Sequence, residues 1–131
     1  MNQLLAEISD VQTSDNLALV SLLCENETFS SLIIHNENNY VRKGNPVYMV
    51  FKETEVMIGK DLESISIRNR FTSVIKFIKK GKLLSEIILN FKGHTITSII
   101  TTESCERLSL CVGKEVEALV KTNDLMLIQH H

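Results

Sequence analysis

The sequence predicts an all-β protein built as two small barrels in tandem. Three observations carry that reading. Ile, Val and Thr supply roughly a quarter of the chain, and β-branched side chains favour strands over helices. Short apolar runs with period-two alternation are punctuated by turns at the spacing of a small closed barrel. The chain also repeats itself at an interval of about 67 residues.

The elements are clearest in the second half. Phe71 to Ile78 reads as a strand, followed by the turn Lys79-Lys80-Gly81-Lys82. Glu86 to Phe91 is the next, with Ile87, Leu89 and Phe91 on one face. Lys92-Gly93-His94 turns the chain into Thr95 to Thr101. Thr102 to Leu110 has a capping Thr, an acidic first turn and Leu at helical spacing, which predicts one or two helical turns ending before Val112-Gly113. Glu115 to Lys121 is a fourth strand and Leu125 to Ile128 a short fifth.

The first half follows by alignment. Asn2 falls on Asn69 and Ile8 on Ile75; Val20, Leu22 and Cys24 fall on Ile87, Leu89 and Phe91. After a small shift, Gly44, Val47, Lys52 and Met57 fall on Gly113, Val116, Lys121 and Met126. Two lobes result, about 1–60 and 64–131, joined by Lys60-Asp61-Leu62-Glu63. Each is near the lower size limit for independent folding, so packing between lobes or between chains is expected.

Composition removes several function classes. The 131 residues are 44% apolar and 23% charged, enough to bury a core. Fourteen basic against sixteen acidic residues, with 5% aromatic, is a poor match to a surface that holds phosphates and stacks bases. Apolar runs such as Leu17 to Cys24 are too short to span a bilayer as a helix, and the N-terminal residues lack the pattern of a signal peptide. Cys24, Cys105 and Cys111 are an odd set without CxxC spacing, which points to a reducing, cytoplasmic compartment and to no zinc site. The histidines are scattered, no Gly-rich loop opens a helix, and no carboxylate pair stands out, so no enzyme is predicted. His130 and His131 are assigned no role.

What remains is a set of groups suited to an anion. In an extended Ser66-Ile67-Arg68-Asn69 the Ser66 and Arg68 side chains share a face, a hydroxyl beside a guanidinium. Thr101-Thr102-Glu103-Ser104 lies where a strand becomes a helix, with free N–H groups and the positive end of the helix dipole. Lys121 ends the apolar strand Ala118-Leu119-Val120. Taken singly, each has a plainer reading: a surface charge, an N-cap, a solvated strand end.

Together these residues, with Lys80-Gly81, Ser85-Glu86-Ile87, Ile96 to Ser104, Leu108 to Gly113 and Ala118 to Lys121, resemble a molybdate-binding Mop domain of the molbindin or TOBE type. The resemblance spans the whole second lobe in order, and the tandem arrangement resembles two-lobed members of that family. It implies two OB-like five-stranded β-barrel lobes, each with at most a short helix. It further implies non-catalytic binding of molybdate or tungstate between lobes, for intracellular storage or homeostasis, without direct coordination of the metal by protein. The oxyanion-binding residues carried over are Ser66, Arg68, Asn69, Thr101, Ser104 and Lys121. Ile67 stands where the family has Ala, on the face opposite the binding side chains. A ring of three two-lobed chains, giving six lobes, is the implied assembly.

The first lobe departs from the pattern. Asn2 matches, but no Ser-x-Arg pair precedes it; His35 and Asn38 replace the Thr and Ser, and Lys52 alone keeps its charge. The lobe is expected to be mainly architectural, with Lys52, His35 and Asn38 as weaker contributors. His35 would add positive charge only below about pH 6.5. The alternative is an oxyanion-sensing module of a molybdate transporter or transcription regulator. With Met1 opening the first lobe and no Walker or helix-turn-helix motif, the free-standing protein is favoured. An OB-type binder of single-stranded nucleic acid is the remote third.

Overall fold

Alternation in the sequence becomes alternation in space. In the computed structural model, which describes residues 1–34 and 39–131, strand β1 (Asn2–Ser14) buries Asn2, Leu4, Ala6 and Ile8 and exposes the residues between them. Strands β2 (Leu17–Cys24), β3 (Glu27–Ile34) and β4 (Pro46–Phe51) follow, then a 3-10 turn at Glu53–Glu55 and a short β5 (Met57–Gly59). The second half repeats the order as β6 (Asn69–Lys80), β7 (Leu84–Phe91), β8 (His94–Thr101), the helix α1 (Thr102–Arg107), β9 (Glu115–Val120) and β10 (Met126–Gln129). Every strand predicted in the second half is present; β6 is longer than predicted at both ends.

The repeat is geometric as well as sequential. Gly44 and Gly113 hold φ of 92° and 89°, the left-handed region that glycine enters without steric cost. Gly44 N–H donates to Ile8 C=O and Gly113 N–H to Ile75 C=O, each at 2.7 Å. Both bonds dock a turn onto a β-bulge, at Ile8/Asp10 in β1 and at Ile75/Phe77 in β6.

The sheets do not follow the halves of the sequence. One sheet has the order β10-β4-β1-β2-β3 and the other β5-β9-β6-β7-β8. Each half of the chain therefore supplies four strands to one sheet and its fifth strand to the other. Hydroxyls near the sheet edges close the barrels: Ser31 donates to Leu125 C=O at 2.5 Å and Ser98 to Val56 C=O at 2.7 Å. These two bonds are repeat partners. The physical reason for the exchange lies in the connection. β5 and β6 flank β9 in one sheet, and Arg70 pins the linker between them, donating to Leu62 C=O at 2.7 Å and Glu63 C=O at 2.8 Å.

Two asparagine clamps join the barrels. Asn2 donates to Thr97 C=O at 2.9 Å and accepts from Thr97 N–H at 2.8 Å. Asn69 does the same with Ser30, at 2.8 and 2.7 Å. Beside the second clamp, Phe29 of one sheet meets Phe71 and Phe91 of the other at centroid distances of 5.4 and 6.1 Å. These buried rings run the core continuously through both barrels.

Candidate functional site

Antiparallel pairing places the strongest candidates together. Asn69 pairs with Val120, so Arg68, just before β6, stands beside Lys121, just after β9. Ser66, Ile67, Arg68, Lys121, Thr122 and Asn123 line a cleft of about 160 Å³. Its wall carries two cations, two hydroxyls and an amide, and no carboxylate. Among the described residues neither Arg68 nor Lys121 takes part in a salt bridge. Both cations are exposed and fully able to receive an anion. The donors match a tetrahedral dianion, which needs charge-assisted hydrogen bonds to replace its hydration.

A larger opening of about 540 Å³ lies on the other side of the same segment, lined by Glu27, Thr28, Ile65, Ser66, Ile67, Arg68 and Arg70. Ile67 lines both clefts rather than facing away from the binding side chains, because the segment runs as a bridge between them. Arg70 was not singled out by the sequence. Its guanidinium bonds Glu117 at 2.7 and 3.1 Å as well as the linker carbonyls, so it fixes the approach of Ser66 to Arg68. Thr122 and Asn123 also escaped sequence reasoning, although a polar pair directly after a strand-end lysine is the signal that would have found them.

The other predicted donors lie elsewhere or are already engaged. Asn69 is fully buried, and its amide is committed to the Ser30 backbone. Within the chain it acts as a clamp that holds β6 against β3. Thr101 caps α1: its Oγ1 accepts from Ser104 N–H at 3.1 Å and donates to Ser104 Oγ at 2.9 Å. Arg107 adds a bond to Ser104 Oγ at 3.2 Å. This junction sits at the hairpin end of the second barrel, where Leu84 pairs with Thr101, and Ser104 lines a different opening, with Met57, Gly59, Lys60 and Leu62. Within one chain Thr101 and Ser104 do not line the cleft of Ser66, Arg68 and Lys121. Thr102 is structural, bonding Ser85 Oγ and Gly81 C=O, each at 2.8 Å.

In the first barrel Lys52 ends β4 at the place Lys121 holds after β9, and Glu53 follows it. His35 and Asn38 lie outside the described residues. Among the described residues no group of three or more His, Cys, Asp or Glu side chains is placed to hold a metal ion. No helix among them is long and apolar enough to cross a membrane.

The TOBE domain model matches residues 65–127, the stretch that carries the cleft. Molybdenum-pterin-binding protein 1 of Clostridium pasteurianum is 38% identical over 66 residues, which is half of this chain and 97% of that protein. The chain belongs to the Mop/TOBE family. Its other Mop/TOBE relatives include the molybdenum transport protein ModE of Azotobacter vinelandii, 36% identical over 63 residues, 47% of this chain and 23% of that protein. A structure solved as the cytoplasmic molybdate-binding protein ModG superposes with a TM-score of 0.91 over 96% of this chain and 94% of that one, at 24% identity. The tandem Mop/TOBE fold, all-β with one short helix among the described residues, is thus shared across both halves.

Proposed function

We propose that this protein is a non-catalytic binder of molybdate or tungstate that holds the oxyanion for storage or homeostasis in the cytoplasm. The observation that carries the proposal is the Asn69–Val120 register, which sets Arg68 beside Lys121 in a cleft rich in donors and free of carboxylates. Two positive charges balance a dianion, while Ser66, Thr122 and Asn123 orient its oxygens. No bond is made or broken. The names of the relatives, molybdenum-pterin-binding and molybdate-binding, support the choice of oxyanion.

The cleft of a single chain is open, and buried charge-assisted contacts need a dry site. Thr101 and Ser104 lie at the helix junction of the same barrel, outside this cleft, and exposed leucines on β2 and β3 leave apolar surface to cover. A second lobe lying over the cleft answers both needs, and three two-lobed chains in a ring form the proposed assembly.

Elemental analysis and calorimetry test the proposal. The purified chain is expected to retain molybdenum or tungsten and to titrate with molybdate, but not with single-stranded DNA. Absence of heat with both molybdate and tungstate would overturn it. The similarity to part of ModE favours one second reading, in which the same site senses the oxyanion for a partner. Under that reading molybdate changes the affinity of the chain for a DNA-binding or transport protein; under the storage reading it does not.

A further inference from the structure

The two barrels present the same strand ends in the same register. Asn2 pairs with Phe51 as Asn69 pairs with Val120, so Met1 and Lys52 occupy the positions of Arg68 and Lys121. The turns that follow also correspond. Glu55 N–H donates to Lys52 C=O at 2.9 Å, and Asp124 N–H donates to Lys121 C=O at 3.0 Å. The residue after the lysine is where they differ. Thr122 lends a hydroxyl to the cleft of the second barrel. Glu53 stands in its place in the first, with its carboxylate on the Met1 amino group at 2.6 Å. Glu55 brings a second carboxylate to the same turn, accepting from Lys52 N–H at 2.8 Å.

We propose that Glu53 is a specificity-determining residue that closes the first barrel's counterpart of the cleft to oxyanions, leaving the chain one strong site instead of two. The inference rests on the oxyanion reading of the cleft between Ser66 and Lys121. A carboxylate next to Lys52 in the turn repels a dianion, and the Met1 amino group, the other cation at this strand end, is already taken by it. The contact with the amino group holds the Glu53 carboxyl below the usual carboxylate range, so the side chain is ionised at neutral pH.

The test is calorimetric titration of the full chain with sodium molybdate, comparing wild type with Glu53→Thr and Glu53→Gln. Threonine is the residue carried at the matching position of the second barrel; glutamine keeps the size of the side chain and removes only its charge. The wild type is expected to show one binding event per chain. Either variant is expected to add a second event, at least about tenfold weaker because Met1 stands where the second barrel carries Arg68. Thermal melts matching the wild type identify variants that keep the fold. One event in the wild type and in both folded variants would overturn the role of Glu53, as would two equal events in the wild type. A wild type that binds no molybdate would overturn the oxyanion reading itself and this inference with it.

Discussion

Ser73 is the one residue among those described whose buried side-chain oxygen finds no hydrogen-bond partner. Its repeat partner on β1 is Ala6, also buried, and the two sit opposite Val116 and Val47 in matching register. Ser73→Ala removes an unsatisfied hydroxyl without opening a cavity, so it is expected to raise stability by about 1 kcal/mol in urea unfolding. Asn69 is the opposite case. Asn69→Ala strands the N–H and C=O of Ser30 away from water and is expected to cost about 2–5 kcal/mol by the same measurement. A loss of oxyanion affinity with unchanged stability would contradict the clamp. Cys24 carries a third prediction. Burial, with Glu25 and Glu27 nearby, pushes its thiol up to about 11 from 9.0. The neutral thiol is favoured in the fold, so its contribution is complete below pH 9 and disappears as pH rises toward 11. Native alkylation at pH 8 is therefore expected to label the exposed Cys111 and spare Cys24 and Cys105.

Paired strand ends, rather than single side chains, make the candidate site. β6 and β9 bring Arg68 and Lys121 side by side, and β1 and β4 bring Met1 to Lys52. Arg68→Ala or Lys121→Ala is expected to weaken molybdate binding by about 2–5 kcal/mol, tens- to thousands-fold. Lys52→Ala is expected to leave the strong event nearly unchanged, because Lys52 does not line the cleft of Ser66, Arg68 and Lys121. Titration of the three variants decides it: equal, small losses would mean that the Asn69–Val120 end does not hold the anion. The helix junction behaves differently. Thr101 donates its hydroxyl to Ser104 Oγ, which also accepts from Arg107, so the Ser104 hydroxyl hydrogen is the one this junction leaves for a ligand.

Strand exchange governs the whole molecule. β5 completes the sheet of β6 to β9, and β10 completes that of β1 to β4. Cutting the chain between Glu63 and Ser64 leaves each piece with an open edge strand, β4 or β9, an unpaired row of backbone donors and acceptors. Fragments 1–63 and 64–131 are expected to associate one to one when mixed, each giving its fifth strand to the other. Light scattering and co-purification check this. Two fragments that stay monomeric and folded would show that the exchanged strands are dispensable. The exchange also places the two strand ends that carry Lys52 and Lys121 within one interlocked body, so the barrels cannot separate without breaking both sheets.

Sequence by itself determined the elements, because period-two burial, Gly turns and a capping Thr are local signals that need no partner. It also determined the repeat, since Asn2 and Asn69, or Gly44 and Gly113, answer the same steric demands in each barrel. Arg68 and Lys121 were legible as candidates through the family resemblance, while their adjacency came from the pairing of β6 with β9. Only the tertiary structure decided which sheet each fifth strand joins. A short alternating strand satisfies either barrel equally, and the choice depends on a linker anchored by Arg70. It alone decided that Asn69 is a clamp, because whether an amide faces solvent or a backbone across a seam is set by packing between distant strands. The separation of Thr101 and Ser104 from the cleft was equally hidden, since proximity across a barrel is a property of closure and not of spacing along the chain.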